Sequence, residues 1–440
     1  MNPQIRFGED LMSRVSYVMM NPGGDTEMTT AVREAINTLL EAVCAETAAN
    51  IEGHEAATVD DILDLTFVAN PVMHHLLLGI NPVELGGAPF ALAFDESASI
   101  KASDMGIVAN LNARSYVLPC IAGHVGADTA GVMLAEQPHL LDEISLLVDV
   151  GTNAEIVLGN KQRIVACSSP TGPAFEGAQI SGGQRAAPGA IERVRIDRET
   201  LEPRFSVIGS DIWSNEDSFA DETATIGVSG ICGSGIIETI AEMFLAGIID
   251  ADGVVDGSLA AKSERVFEDG RTFSYLLHDG DVKIVITQND VRQIQLAKAA
   301  LYAGVRLLMD RLEISKVERI RLAGAFGSHI DVKYAMVLGL IPDCTLDQVT
   351  SAGNAAGNGA RIALMNADSR HEIESMVHSV EKIETAVEAK FQEHFVEAMA
   401  FPHKTDDFVE LGKVVDLPER KVAADKMRER SRKSRRRKRQ

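Results

Sequence analysis

The chain has 440 residues, of which 45% are hydrophobic, and its formal net charge is −22. It is too apolar for an intrinsically disordered protein, and it is long enough for two or three folded units with their own cores. No apolar run approaches the roughly 20 residues that a membrane-spanning helix needs, and residues 1–8 lack the basic-then-apolar layout of a signal peptide. We therefore expect a soluble cytoplasmic protein without a membrane partner.

The charge is unevenly distributed along the chain. Residues 417–440 contain twelve lysines and arginines against three acidic residues, which leaves about −31 on the remainder. A segment this highly charged does not fold alone. We predict a basic, disordered tail over residues 403–440, which is either a solvated end or a binding segment for RNA or an acidic partner.

The five cysteines are scattered through the sequence. They are Cys44, Cys120, Cys167, Cys232 and Cys344. Their odd number argues against a disulfide scaffold, and their separation argues against a zinc or iron–sulfur site on this chain. The spacing predicts five buried thiols in a reducing compartment.

The first part of the chain predicts two helices, a strand and a third helix. Apolar residues recur at helical spacing over residues 9–20 and 29–45. Residues 63–69 read as a strand, after which Asn70 and Pro71 open a helix that ends at Gly79. A further strand is predicted over residues 114–118.

The second part continues the alternation of strands and helices. The predicted strands cover residues 144–150, paired segments within 192–226, residues 319–323 and one strand within 371–400. The predicted helices cover residues 233–247, 288–312 and 355–366, with terminal helices before residue 400. This alternation indicates an α/β fold. A break near Gln137-Pro138 divides it into predicted lobes over residues 1–140 and 141–402.

A glycine turn with the chemistry of a phosphate site follows the strand over residues 144–150. The strand ends in Asp149, and the turn is Gly151-Thr152-Asn153. Gly151 allows backbone N–H groups to approach an oxyanion, while Thr152 and Asn153 add side-chain donors. We predict that Asp149 holds Mg²⁺ through water. An ordinary β-hairpin also favours Gly and Asn and is the alternative.

Three further glycine-rich segments occur later in the chain. A helix start follows Gly230, Gly233, Ser234 and Gly235, where exposed N–H groups attract anions or a ribose hydroxyl. The turn Gly324-Ala325-Phe326-Gly327 ends a strand in small residues, against which a flat base can lie. Gly353 and Asn354 open a helix with small side chains, which suits close helix packing across a hinge. A capped helix, a flexible loop and simple packing are the structural alternatives.

The order of these turns resembles that of the ASKHA superfamily, which includes acetate and sugar kinases, Hsp70 and actin. Residues 149–152 resemble its second phosphate loop, Gly324–Gly327 its adenosine loop and residues 353–360 its second connecting helix. Within the superfamily, the chain is most similar to the reductive activators of corrinoid proteins. The segments that carry this resemblance are residues 2–10, 69–75, 148–159, 172–177, 322–331 and 353–360.

The resemblance implies a two-lobed, ribonuclease-H-like fold that binds ATP and Mg²⁺ between its lobes. It implies an ATPase that returns a Co(II) corrinoid protein of a methyltransferase system to Co(I). By analogy with sugar kinases, Asp128 would orient a water or hydroxyl at the γ-phosphate. The cofactor-binding residues would be Gly151, Thr152, Asn153, Gly230, Gly233, Ser234, Gly235, Gly324, Ala325, Phe326, Gly327, Gly353 and Asn354. Relatives also imply a ferredoxin-type electron donor and a homodimer.

Two parts of the family pattern are missing from the sequence. No cysteine cluster for a [2Fe–2S] centre is present, so we expect that centre on a domain outside this chain. The first phosphate loop expected just before Asn2 is also absent, which predicts an incomplete first lobe from a truncated chain or a split gene. A small-molecule kinase, an activator of a radical dehydratase and a non-catalytic binding module remain alternatives, because a fold does not fix a function.

Overall fold

The computed structural model of the protein describes residues 2–8, 10–50 and 57–419. Glu9 and the predicted basic tail from residue 420 onward lie outside the described residues. In the described parts, strands and helices alternate as the sequence predicts, and most predicted bounds lie within a few residues of those observed.

Helices account for much of the structure. In chain order they are α1 (Leu11–Met20), α2 (Gly24–Asn50), α3 (Pro71–Leu78), α4 (Ala127–Glu136), α5 (Phe219–Glu222), α6 (Gly233–Leu245), α7 (Gln288–Leu312), α8 (Gly324–His329), α9 (Val332–Leu338), α10 (Ala355–Met365), α11 (Ala367–Ser379), α12 (Ala389–Ala398) and α13 (Val409–Gly412). None of the described helices is both long enough and apolar enough to cross a membrane.

Strands form four sheets. In chain order they are β1 (Asp64–Phe67), β2 (Ala98–Lys101), β3 (Arg114–Val117), β4 (Ser145–Val150), β5 (Ala154–Asn160), β6 (Arg163–Ser169), β7 (Ala190–Ile196), β8 (Pro203–Val207), β9 (Gly230–Ile231), β10 (Val266–Asp269), β11 (Thr272–Asp279), β12 (Lys283–Ile286), β13 (Arg319–Ala323), β14 (Val349–Gly353) and β15 (Glu381–Lys382).

Local capping explains where several helices begin. The carboxylate of Asp10 accepts the N–H of Ser13 at 2.7 Å and starts α1. Asn70 accepts the N–H of Met73 at 2.9 Å, and Pro71 occupies the first turn of α3, as predicted. Gly79 ends α3 in the left-handed conformation that favours glycine.

The first lobe contains β1, β2 and β3 with helices α1–α4. The strand order is β1-β3-β2, in which β1 and β3 are parallel and β2 is antiparallel to β3. One of its cores joins α1, α2 and α3 through buried side chains such as Val15, Met28 and Leu76. Helix α2 has 27 residues and begins at Gly24, five residues before the predicted start.

The second lobe is built on a six-stranded sheet of order β14-β13-β4-β5-β6-β15. The hairpin β4–β5–β6 is antiparallel, whereas β13 is parallel to both β4 and β14. Because β4 and β13 run in the same direction, their carboxyl ends meet at one edge of the sheet. Asp149 and Gly324 are at that edge, and Ala323 is the register partner of Asp149.

Two smaller sheets lie beside the six-stranded one. Strands β8-β7-β9 form one, and β10-β11-β12 form an antiparallel meander over residues 266–286. No strands are predicted from the sequence over residues 266–286, where charged residues and turns interrupt the short apolar runs. The predicted paired strands extend to residue 226, whereas β8 ends at Val207 and α5 occupies part of the remainder.

Helices α4 and α10 cross each other at two glycines. A Cβ atom added to Gly359 of α10 would lie 2.0 Å from the carbonyl oxygen of Gly131 in α4, and one added to Gly131 would lie 2.9 Å from that of Ala356. Only glycines permit backbones to approach this closely. The predicted close packing of the helix after Gly353 is therefore a contact with α4, the helix that carries Asp128.

The ordered chain continues past residue 402, where the predicted tail begins. Phe408 and Leu411 are buried in the core of the second lobe. The carboxylate of Asp343 accepts the backbone N–H groups of Glu410 and Leu411 at 2.8 and 3.0 Å. Residues 403–419 thus pack against the lobe and are not a tail, because Phe408, Leu411 and Val415 contribute apolar side chains to its core.

All five cysteines are buried and free, as their spacing predicts. Burial raises the pKa of the Cys344 thiol to about 11, so this thiol stays protonated at neutral pH.

His74 in α3 should make the fold sensitive to acid. Its side chain is fully buried against Phe94, and burial together with the neighbouring His75 lowers the pKa of His74 to about 4. The folded state therefore favours the neutral ring, so its contribution to stability is present above pH 6.5 and is lost as the pH falls towards 4.

Replacing His74 by leucine should remove this contribution, which we estimate at about 2.5 kcal/mol at pH 4.5 relative to pH 7. Urea unfolding of both proteins at the two pH values measures it. His371→Leu is the control, because the His371 side chain is 83% exposed. An equal loss of stability in wild type and His74→Leu would contradict the prediction.

Candidate functional site

Asp149 lies at the carboxyl end of β4, facing the start of α8. A Cβ atom added to Gly324 would lie 2.4 Å from Oδ1 of Asp149, and Gly324 has a φ of +84°. Both the close approach and the left-handed conformation require glycine here. Burial raises the pKa of Asp149. A carboxylate in such surroundings is stabilised by a nearby cation.

The turn over residues 151–153, which follows Asp149, is held by the side chain of Thr171, in the segment after β6. Thr171 donates its hydroxyl to the carbonyl oxygens of Gly151 and Thr152 at 2.9 and 3.0 Å. The N–H of Gly151 donates to the carbonyl of Asn153 at 3.0 Å. The turn is therefore fixed before any ligand binds, which is the preorganisation that an anion site needs.

The hydroxyl of Thr152 has a protein partner that the sequence analysis does not include. It donates to Glu176 at 2.8 Å. Thr152 was predicted to donate its side chain to a phosphate, so binding would require this hydroxyl to exchange Glu176 for the ligand. The predicted roles of Gly151, Thr152 and Asn153 in binding stay predictions.

Asp128 comes from the other lobe, in the first turn of α4. Its Oδ1 accepts the N–H of Thr129 at 2.8 Å, and its own N–H donates to the carbonyl of Ala69 at 3.2 Å. Gly126 precedes it, where a Cβ atom would lie 2.6 Å from Oδ1 of Asp128. Burial and the charge of Asp149 raise the pKa of Asp128 to about 6. The two predicted acidic residues, Asp128 and Asp149, are therefore close enough for the charge of Asp149 to affect the pKa of Asp128.

Glu155 is a third acidic residue of this site. It is the register partner of Asp149 across the β4–β5 hairpin, and Ser168 donates to it at 3.3 Å. Burial and the charges of Asp128 and Asp149 raise its pKa well above the usual value. The sequence analysis misses Glu155, although a three-residue turn centred on Thr152 would have placed residues 149 and 155 opposite each other.

The second glycine-rich segment packs closely against β7 and its neighbouring loop. A Cβ atom at Gly230 would lie 2.7 Å from the carbonyl of Gly182, and one at Gly235 would lie 2.3 Å from that of Ile191. Ser234 is buried, with its hydroxyl 3.3 Å from Sγ of Cys232. Close packing thus explains two of these glycines, and the predicted ligand contacts of Gly230, Gly233, Ser234 and Gly235 stay predictions.

The remaining predicted residues lie at the starts of α8 and α10. Gly324 opens α8, in which a Cβ at Gly327 would lie 2.8 Å from the backbone of Leu322. The side chains of Ala325 and Phe326 lie outside the described parts of the structure. Asn354 caps α10 by accepting the N–H of Gly357 at 3.0 Å, and Gly353 before it has a φ of +60°. These positions have structural roles, and their binding roles stay predictions.

The acidic site offers a cation two carboxylates, those of Asp149 and Asp128. Among the described residues, no group of three or more His, Cys, Asp or Glu side chains is close enough to hold a metal ion. Magnesium commonly keeps several of its waters and uses one or two carboxylates together with substrate phosphates. Asp149 and Asp128, with raised pKa values and a glycine cradle beside them, suit that mode.

A cleft of about 650 Å³ opens beside the phosphate turn. Its first-lobe wall contains Asn2, Asp10 and Arg14, and its second-lobe wall contains Thr152 and Glu176. Thr152 of the turn after Asp149 and side chains of the first lobe therefore line one space between the lobes.

Comparison with known families matches almost the entire described chain. Residues 1–140 match the RACo middle region, and residues 143–412 match the C-terminal domain of RACo, the ASKHA domain. The chain belongs to the RACo family. The α/β fold of the ASKHA type and the resemblance to reductive activators of corrinoid proteins are both confirmed.

Individual relatives agree with this assignment. The chain is 33% identical over 410 residues to the corrinoid activation enzyme RamQ of Eubacterium limosum, covering 90% of this chain and 64% of the relative. It is 30% identical over 244 residues to the [Co(II) methylated amine-specific corrinoid protein] reductase of Methanosarcina barkeri, covering 52% of this chain and 41% of the relative.

A solved structure of a reductive activator for a corrinoid, iron–sulfur protein superposes with a TM-score of 0.77. It is 33% identical in sequence, and the match covers 94% of this chain and 63% of that one. This RACo-family chain therefore spans somewhat less than two thirds of RamQ and of the solved activator, and its match covers 41% of the Methanosarcina barkeri reductase.

Proposed function

We propose that this chain binds Mg·ATP between its two lobes and uses its hydrolysis to drive reductive activation of a corrinoid protein. The observation that carries the proposal is that Asp128, from α4 of the first lobe, lies within electrostatic reach of Asp149, at the end of β4 in the second lobe of a RACo-family chain. Relatives named for corrinoid activation and corrinoid reduction support the substrate class.

The residues have distinct roles in this proposal. The turn 151–153 binds the phosphates, the backbone at Gly324 lies against the nucleoside, and Asp149 holds Mg²⁺ through water. The ion, when bound, supplies positive charge that offsets the charge of the phosphates. Asp128 orients the attacking water and accepts its proton, for which a carboxylate with a raised pKa is suited.

Nucleotide binding can assist an uphill electron transfer only through differential binding. An activator changes the reduction potential of the cobalt only if it binds the Co(II) and Co(I) forms of the corrinoid protein with different affinities. Closure of the lobes around ATP, about the crossing of α4 and α10, would change the surface that meets the corrinoid protein. We propose a methyltransferase-linked corrinoid protein as substrate, a ferredoxin-type domain or protein as electron donor, and a homodimer as the working form.

Two measurements test the proposal. Calorimetry measures Mg·ATP binding to the chain, and the absorbance of a corrinoid protein reports the change from Co(II) to Co(I) with a ferredoxin-type reductant. We expect binding, and faster reduction with ATP than with ADP. Failure of the chain to bind Mg·ATP would refute the nucleotide part, and reduction that is equally fast without nucleotide would refute the coupling.

Asp149→Asn should weaken Mg·ATP binding by about 10- to 100-fold, because the carboxylate that offsets the charge of the ion is lost. Thermal stability should stay the same or increase, since an acidic group is removed from beside Asp128 and Glu155. Calorimetry and a thermal melt measure the two effects. Asp142→Asn, at a side chain that is 86% exposed, is the control. Unchanged affinity in Asp149→Asn would remove Asp149 from the site.

A further inference from the structure

Arg14 of α1 lines the cleft beside the phosphate turn and has no role in the function proposed above. The whole residue is only 4% exposed, which is unusual for an arginine. Its Nε donates to the carbonyl of Gly8 at 3.0 Å. Because a guanidinium has five N–H donors in a planar fork, this bond leaves its terminal amino groups as the part that can meet a ligand.

The two acidic residues of the cleft make their hydrogen bonds to groups other than Arg14. Asp10, beside Arg14, accepts the N–H of Ser13 at the start of α1, and Glu176 accepts the hydroxyl of Thr152. Burial lowers the pKa of the Arg14 guanidinium, and the charge of Asp10 opposes that shift only in part. A buried cation of this kind is stabilised when an anion arrives.

The position of the cleft relative to the turn 151–153 indicates which anion Arg14 would bind. Gly324 lies against Asp149, at the start of the turn, whereas the cleft is lined by Thr152, in the middle of the turn. A nucleotide whose base lies near Gly324 and whose phosphates follow the turn would extend its last phosphate into the cleft. Planar, bidentate donors such as guanidinium are well matched to phosphate oxygens.

We propose that Arg14 binds the terminal phosphate of the nucleotide from the first lobe and thereby distinguishes ATP from ADP. This inference rests on the proposed function, and it adds a contact between lobes that exists only with the triphosphate. Loss of that contact on hydrolysis would release α1 from the phosphate turn.

The test compares Mg·ATP and Mg·ADP affinities of Arg14→Gln by calorimetry. We expect ATP affinity to fall by about 10- to 30-fold and ADP affinity to change by less than about twofold. Arg14→Lys should recover part of the loss, because it keeps the charge without the fork. Arg6→Gln is the matched control, since Arg6 is exposed on the same segment, against the ring of Phe7, and does not line the cleft.

A second pair of variants changes Ala178 on the opposite wall of the cleft and keeps Arg14. Ala178 is exposed and lines the cleft, so Ala178→Glu should weaken ATP binding by about three- to tenfold relative to Ala178→Gln and leave ADP binding unchanged. If Arg14→Gln does not fold, this pair decides.

The outcomes separate the inference from the function on which it rests. Equal losses of ATP and ADP affinity, or no difference between the Ala178 variants, would overturn the role of Arg14 while leaving nucleotide binding intact. Absence of any nucleotide binding by the wild-type chain would overturn the proposed function itself.

Discussion

Asp128→Asn is expected to lower the rate of ATP hydrolysis by about 10²- to 10⁴-fold and to change the affinity for Mg·ATP by less than about threefold. The asparagine can still accept the N–H of Thr129, which Asp128 accepts at 2.8 Å, so the start of α4 should keep its geometry. It cannot accept a proton from the attacking water. Release of inorganic phosphate and calorimetric titration with Mg·ATP measure the two quantities.

The dependence on pH gives an independent measure of the same role. Because the pKa of Asp128 is raised to about 6, the wild-type rate should fall as the pH decreases through that region and the carboxylate takes up a proton. The hydrolysis rate of Asp128→Asn should not show this decrease at low pH. Asp104→Asn, at an exposed position of the first lobe, is the control. A wild-type rate in Asp128→Asn would exclude Asp128 from the chemistry.

Gly359→Ala is expected to destabilise the protein by about 3 kcal/mol, through a clash between backbones. The new Cβ would lie 2.0 Å from the carbonyl of Gly131, so α4 and α10 must move apart. The sign of the stability change is informative, because alanine within a helix normally stabilises it by about 1 kcal/mol relative to glycine. Thermal or urea unfolding measures the difference. Nucleotide-stimulated turnover should also fall, since α4 carries Asp128.

Gly412→Ala is the matched control for this prediction. Gly412 lies in α13 with nothing within 4 Å of an added Cβ, so the same change should be neutral or slightly stabilising there. A Gly359→Ala protein as stable as wild type would show that the helices tolerate separation and that the close crossing is not required.

Features that depend on residues close together in sequence follow from the sequence itself. The cap of α3 by Asn70 and Pro71, its end at Gly79 and the bounds of α7 are set by local hydrogen bonding and helical periodicity. The order of the glycine turns indicates the ASKHA superfamily, and the segments over residues 2–10, 69–75, 148–159, 172–177, 322–331 and 353–360 together indicate the reductive activators of corrinoid proteins. Each of these depends on backbone conformations that a few neighbouring residues decide.

Local sequence predicts the structure less well where a strand has little periodicity of its own and depends on pairing with its neighbours. The meander over residues 266–286 has no strong periodicity of its own and is stabilised by pairing between β10, β11 and β12. Residues 403–419 look polar in sequence, yet Phe408 and Leu411 fill a surface of the second lobe. Tertiary packing, which sequence spacing does not record, decides both.

By itself, the sequence determined the family, the alternation of strands and helices, and the glycine turn after Asp149, because these reside in contiguous residues. The tertiary structure alone brought Asp128 of the first lobe near Asp149 of the second and placed Arg14 in the cleft opposite Thr152. It also revealed that Gly359 and Gly131 belong to one helix crossing. The physical reason is that burial, charge coupling and close approach depend on distances in space between residues that lie far apart along the chain.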